Sequence, residues 1–272
     1  MRSALVIAQK PRLPWLCQVL QSNQSSRKLP FYWMTVTLFI PCFVDLCFPQ
    51  VGISVIHILK RLGHRVRFAS QVTCCGQPPF NAGFWKEARS IAARAIEILA
   101  DAEVVVVPSG SCTATIKNFY PELFAGTPME AVAGRLAGKT FEFADFLVNR
   151  LNVTDLGARF PARVTYHDGC HNLRELSRKQ EPRTLLKCVR DLELIEMNEA
   201  ETCCGFGGTF AVKFPAISTA MAEVKCVSAT DSGAQYVVST DSSCLMQIQG
   251  LLDRQRSPMR TIHLAEILAR QG

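Results

Sequence analysis

The chain has 272 residues, 48% hydrophobic and 19% charged, the balance of a globular protein and not of a disordered or collagenous one. Its net charge of +7 comes from scattered Lys and Arg, and no basic run with interleaved aromatics marks a nucleic-acid face. Twelve cysteines, in a chain too long for a small disulfide scaffold, point to metal or redox chemistry in a reducing compartment.

Residues 1–33 open with a short apolar patch cut by Lys10, Pro11 and Arg12, too short for a secretory signal. They read as an N-terminal extension, disordered or a misassigned start, with translation beginning at Met34. The apolar stretch MTVTLFIPCFVDLCFP is broken by Pro41, Asp45 and Pro49 and falls short of the roughly 20 residues that span a bilayer. No transmembrane segment is expected, and a cytoplasmic location is.

A strand is expected to begin near Met34. The segment VGISVIHILKRLG then places its apolar residues on one helical face and stops at Gly63, a favoured helix terminator. HRVRFA alternates as a strand with one solvated face, FWKEARSIAARAIEILADA is an amphipathic helix, and EVVVV is a continuous apolar run of parallel-sheet type. Residues 129–152 read as largely helical. RVTYHD, LELIEM and QYVVST follow as strands, TAMAEVKCVSATDSG as a helix, and residues 261–269 as a terminal helix. Strand–helix alternation predicts an α/β fold of two pseudo-symmetric lobes, each a mainly parallel sheet flanked by helices. The lobes are expected at residues 34–128 and 161–272, with a helical linker at residues 129–160.

An internal duplication underlies that expectation. The triplet Cys-Cys-Gly occurs twice, at Cys74, Cys75 and Gly76 and again at Cys203, Cys204 and Gly205. Upstream of each, one cysteine closes an apolar strand, Cys42 in VTLFIPC and Cys170 in VTYHDGC. Downstream, VVVVPSGSC ends at Cys112 and YVVSTDSSC at Cys244. Subtracting equivalent positions gives offsets of 128, 129, 129 and 132, a register too regular for chance.

The four single cysteines therefore stand at carboxyl ends of parallel strands, where ligands gather and helix N-termini favour the thiolate. Each CCG turn adds two thiols, and its glycine permits a backbone that other residues resist. Four soft sulfur ligands in each half suit an iron–sulfur cluster or zinc. Adjacent cysteines diverge, which favours a multi-iron cluster over one ion. Cys17, Cys47, Cys188 and Cys226 have no counterpart in the other half and read as small hydrophobes.

Around Cys170, the group Tyr166, His167, Asp168, His171 and Arg174 offers candidates for a proton donor or a carboxylate contact. His167, His171 and Arg174 are the candidate catalytic residues, with helix capping or cluster tuning as the alternative. Ser109 and Asp241 stand three residues before Cys112 and Cys244 and are expected to cap helices. Gly205, Phe206, Gly207 and Gly208 lack the phosphate-loop pattern and read as flexible backbone beside a cluster.

These motifs resemble the cysteine-rich CCG-domain family, which includes a cysteine-rich component of heterodisulfide reductase and the iron–sulfur component of glycolate oxidase. More closely, DLCFPQVG, TCCGQPPFNAGFW, VPSGSC, YHDGCHNLREL, CCGFGGTFAVK and STDSSCLMQI look like the lactate utilization protein A family, from Met34 to the C-terminus. The resemblance implies iron–sulfur clusters, of 4Fe-4S type, held by Cys42, Cys74, Cys75 and Cys112 and by Cys170, Cys203, Cys204 and Cys244. It implies electron transfer in the oxidation of L-lactate to pyruvate. The implied partners are lactate utilization proteins B and C, through which the chain would associate peripherally with the inner membrane. One departure is that Ser109 and Asp241 stand where the fuller CCG pattern has another cysteine. The residues themselves also leave open a metal-independent thiol–disulfide oxidoreductase, a zinc-bound scaffold, or a component of a glycolate oxidase or heterodisulfide-reductase-like complex.

Overall fold

A computed structural model describes residues 34–271; the expected extension at residues 1–33, with Cys17, lies outside the described residues. Among the described residues are two four-stranded parallel sheets flanked by helices. The first pairs β1 (Thr35–Leu38), β2 (Arg65–Phe68), β3 (Val104–Val107) and β4 (Thr140–Glu142) in the order β2-β1-β3-β4. The second pairs β5 (Arg163–Tyr166), β6 (Glu193–Leu194), β7 (Tyr236–Ser239) and β8 (Arg260–His263) in the order β6-β5-β7-β8. The same order in both is what a duplicated unit produces, and the expected α/β architecture is the one observed.

Side-chain alternation decides where each sheet face goes. Along β3, Val104 and Val106 enter a core shared by the two halves, while Val105 and Val107 enter a core belonging to the first half alone. Val238 and Val237 of β7 divide in the same way. The shared core joins helix Pro49–Arg61 to the C-terminal helix Leu264–Ala269, and the Arg61 guanidinium donates to the carbonyls of Leu156 and Leu268, each at 3.2 Å. Helix Pro49–Arg61 begins on proline at its first position, buries Val51, Val55, Ile58 and Leu59 on one stripe, and ends before Gly63, whose φ is +85°.

Both private cores contain cysteine. Cys75 and Cys112 pack with Phe39, Ala92 and Ile96 of the first half; Cys204, Cys226 and Cys244 pack with Val237 and Ile248 of the second.

Two elements differ from the sequence expectation, at equivalent places. Within the stretch expected to be a helical linker, Thr140–Glu142 forms β4 between helices Glu130–Gly138 and Phe143–Asp145. Within the expected terminal helix, residues 260–263 form β8, and only Leu264–Ala269 is helical. Each is a three- or four-residue edge strand, too short for an alternating pattern to stand out.

Candidate functional site

The cysteine chemistry starts from backbone. β1, β3, β5 and β7 end at Leu38, Val107, Tyr166 and Ser239, and the chain turns at once into helical structure carrying Cys42, Cys112, Cys170 and Cys244. The CCG turns approach from the loops after β2 and β6. Gly76 and Gly205 have φ of +83° and +85°, the left-handed region that a Cβ disfavours. That conformation turns the Gly76 N–H onto Cys74 Sγ at 3.3 Å and the Gly205 N–H onto Cys203 Sγ at 3.4 Å.

All eight repeated cysteines line one cavity of about 950 Å³, its open mouth included. Within it the sulfurs fall into two sets. In the first, Cys75 Sγ lies 3.3 Å from Cys112 Sγ, and Cys74 receives hydrogen bonds from Cys42 and Cys75. In the second, Cys203 receives them from Cys170 and Cys204, and Cys204 is linked to Cys244.

Crowded thiols cannot all ionise. Hydrogen bonds from two neighbouring thiols and the glycine N–H hold Cys74 and Cys203 far below the usual thiol range. Cys42, Cys170 and Cys204 are pushed up first by donating to those thiolates and Cys75 first by its hydrogen bond to Cys112, with burial second or third. Each set thus favours one thiolate, at Cys74 and at Cys203, each hydrogen-bonded by two neighbouring thiols. A metal would displace those protons, because the thiolate is the ligating form.

The profile of the cysteine-rich domain called CCG matches residues 36–117 and 164–249. Lactate utilization protein A of Geobacillus thermodenitrificans is 44% identical over 236 residues, covering 86% of this chain and 98% of that protein. The Bacillus pumilus protein of the same name is also 44% identical, over 86% of this chain and 99% of its own length.

The chain belongs to the lactate utilization protein A family.

In fold, it is similar to a hypothetical protein from Helicobacter pylori, with a TM-score of 0.55 at 12% identity, over 95% of this chain and 54% of that one.

In this family member the two cysteine sets are joined by polar contacts across the cavity. The Asp241 carboxylate accepts from Ser109 Oγ at 2.8 Å and from the Ser111 N–H at 3.1 Å. Ser109 caps its own helix, its Oγ accepting from the Cys112 N–H, as expected. Asp241 stands at the N-cap of helix Ser242–Arg254 without a side-chain capping bond and reaches across instead. Gln77 lies beside His171, its amide nitrogen 3.2 Å from Nε2, and Nδ1 of the same ring is 3.4 Å from Cys170 Sγ. If the amide donates, the ring proton sits on Nδ1 and points at the sulfur.

The candidates around Cys170 separate sharply. His171 lines the cavity. Arg174 is exposed and acts at a distance on Glu201, so it does not join the cysteines. Asp168 is bound by both terminal nitrogens of Arg183 at 2.8 Å, Arg183 also pairs with Glu196, and its guanidinium lies over the Tyr166 ring. Tyr166, Asp168 and Arg183 are therefore a buried structural pair and its cover. His167 is fully buried, its ring nitrogen within 4.8 Å of the sulfurs of Cys204 and Cys244. Neither of its nitrogens makes a well-formed hydrogen bond, although the nearby Ala200 carbonyl slightly favours a ring proton. Burial foremost, and Lys225 next, lower its pKa to about 3, so the ring is neutral.

Of the unrepeated cysteines, Cys226 is buried in the second private core as expected, whereas Cys47 is exposed and is no core hydrophobe. Phe206, Gly207 and Gly208 line the cavity, and the three glycines from 205 to 208 all have positive φ. Sequence reasoning missed Tyr120, whose hydroxyl donates to the Cys75 carbonyl at 2.8 Å. It also missed Lys225, fully buried and donating to the Glu199 carbonyl. No local motif announces either.

Proposed function

We propose that this chain is an iron–sulfur electron-transfer component of an L-lactate-oxidising system, taking lactate to pyruvate together with lactate utilization proteins B and C. The observation that carries the reading is two matching sets of four sulfur donors opening onto one cavity. Kinship with proteins named for lactate utilization supplies the metabolic setting.

The donor set fits such a group. Cys42, Cys74, Cys75 and Cys112 would hold one cluster and Cys170, Cys203, Cys204 and Cys244 the other. A thiolate already formed in each set and a vicinal pair able to reach separate irons favour a 4Fe-4S or related multi-iron cluster over a lone ion. When bound, such clusters supply reversible one-electron storage. The chain's own residues do the rest. The Gly76 and Gly205 N–H groups direct hydrogen bonds at sulfur, which tunes a cluster's potential. Tyr120 fixes the Cys75 carbonyl. Burial of Cys75, Cys112, Cys204 and Cys244 keeps water from half of the sulfurs. Asp241, by bonding Ser109 and Ser111, holds the two sets at a fixed separation. Among the described residues no helix is long and apolar enough to cross a membrane, and a cytoplasmic site of action, with any membrane association made through partners, is part of the proposal.

Protein purified without oxygen is expected to contain iron and acid-labile sulfide and to give a low-temperature electron paramagnetic resonance signal on reduction. Uptake of zinc alone after anaerobic reconstitution with iron and sulfide would exclude the reading. A second reading, a metal-free thiol–disulfide couple, draws on the 3.3 Å approach of Cys75 and Cys112 sulfurs. It requires a reversible two-electron change in thiol count in iron-free protein.

A further inference from the structure

The two cysteine sets are sisters in backbone but not in surroundings. β1 and β5 run in the same register against β3 and β7, with Val36 opposite Val104 and Val164 opposite Tyr236. Counting on, Phe39 and His167 are equivalent. Their N–H groups make the same bond, to the carbonyls of Val106 and Val238, and their separation of 128 equals that of Cys42 and Cys170. Phe39 is buried in the same apolar cluster as Cys75 and Cys112. His167 puts a ring nitrogen within 4.8 Å of Cys204 and Cys244.

A second difference runs parallel. A Cβ at Gly76 would meet Ala88 and Ile91, and one at Gly205 would meet Ser218 and Met221, which aligns the two helices and makes Lys225 the counterpart of Ala95. The second set therefore has a buried imidazole and a buried ammonium where the first has a phenyl ring and a methyl group.

A fully buried imidazole with no well-formed hydrogen bond at either nitrogen is costly. Here it faces two sulfurs that would carry a metal, at separations suited to ligands of one centre. Resting on the iron–sulfur reading above, we infer that His167 is a fifth, nitrogen donor to the metal of the second cysteine set, and that the first set, with Phe39 in its place, is all-sulfur. The two centres are then chemically distinct and the second is recognisable by its nitrogen. Imidazole in the coordination shell of an iron–sulfur centre raises its potential relative to all-thiolate ligation, so the second centre is the better electron acceptor of the pair.

The test uses the full chain carrying heavy-nitrogen histidine, reconstituted anaerobically with ferrous iron and sulfide and examined by pulsed electron paramagnetic resonance. Two signals are expected, one of them coupled to histidine nitrogen. His167→Phe, which copies the first set, removes the coupling and leaves the uncoupled signal intact. His167→Gln does the same and serves if the phenylalanine variant does not fold. A wild type whose iron signals show no nitrogen coupling overturns the inference and leaves the iron–sulfur reading standing. Coupling that persists in the variants assigns the nitrogen to another histidine, His171 being the one beside a cysteine, and also overturns it. If the wild type takes up only zinc, the iron–sulfur reading falls while X-ray absorption at the zinc edge still decides the donor. A nitrogen scatterer lost in His167→Phe supports it, and an all-sulfur shell in the wild type overturns it. Uptake of no metal overturns both.

Discussion

Substituting the glycines of the two CCG turns separates backbone strain from steric room. Gly76 and Gly205 hold nearly the same φ, +83° and +85°, which costs an alanine about 1–2 kcal/mol at either position. Their surroundings differ. A Cβ at Gly76 would lie 3.2 Å from the Ala88 carbonyl oxygen, with Ile91 at 3.6 Å. At Gly205 it would lie 2.5 Å from the Ser218 carbonyl oxygen and 3.0 Å from the Met221 Cβ. The Ser218 carbonyl belongs to helix Pro215–Asp231 and the Ser218 hydroxyl donates to the Gly205 carbonyl, so relief requires the whole turn to lift off that helix. Gly76→Ala is expected to cost about 1–2 kcal/mol and Gly205→Ala about 3–5 kcal/mol. For a chain of this size these correspond to falls in Tm of about 3–6 °C and about 9–15 °C. Circular dichroism melts measure the first quantity. Iron per chain measures the second consequence, loss of metal from the Cys203 and Cys204 side with the first set still loaded. Equal melts for the two variants, or a Gly205→Ala protein with undiminished iron, would refute the reasoning.

Burial raises the Glu142 carboxyl from 4.5 to about 8, so between those values the native state holds a proton that the unfolded chain has lost. Wild-type stability should then fall as pH rises through that window, by about 1.4 kcal/mol per unit. Glu142→Gln keeps an acceptor for the Ala144 and Asp145 N–H groups; urea melts should find it equal to wild type near the lower value and more stable near the upper, and a constant difference refutes the assignment. Arg183→Met strands Asp168, 2% exposed, and is expected to cost about 3–5 kcal/mol, partly recovered when Asp168→Asn is added; additive losses in chemical denaturation would contradict the pairing. Exposed Cys47 should react with a maleimide in the native protein. Cys226, 1% exposed with its thiol pushed up to about 11 by burial, should react only on unfolding, as peptide mass spectrometry would report.

Much of this protein is written locally. The spacing of Cys42, the Cys74–Cys75 pair and Cys112 repeats after about 130 residues, and a period-two or helical pattern accompanies each cysteine to a strand end or turn. Hydrophobic periodicity and glycine placement act over a few residues, so they are legible without a fold. That is why the duplicated α/β plan and the eight cysteines that line one cavity emerge from one-dimensional reading. β4 and β8 escape it because strands of three and four residues owe their existence to a neighbour's hydrogen bonds. The repeat register is no guide there either, since Glu142 and His263, opposite Val107 and Ser239 on neighbouring strands, are only 121 apart. Tertiary packing alone decides which face of β3 meets the shared core, that Asp241 reaches Ser109 instead of its own helix, and that Arg174 stays in solvent. It alone brings His167 and Lys225 to the second cysteine set. Such choices depend on which surfaces meet after the two halves close on one another, and no short stretch of sequence holds that information.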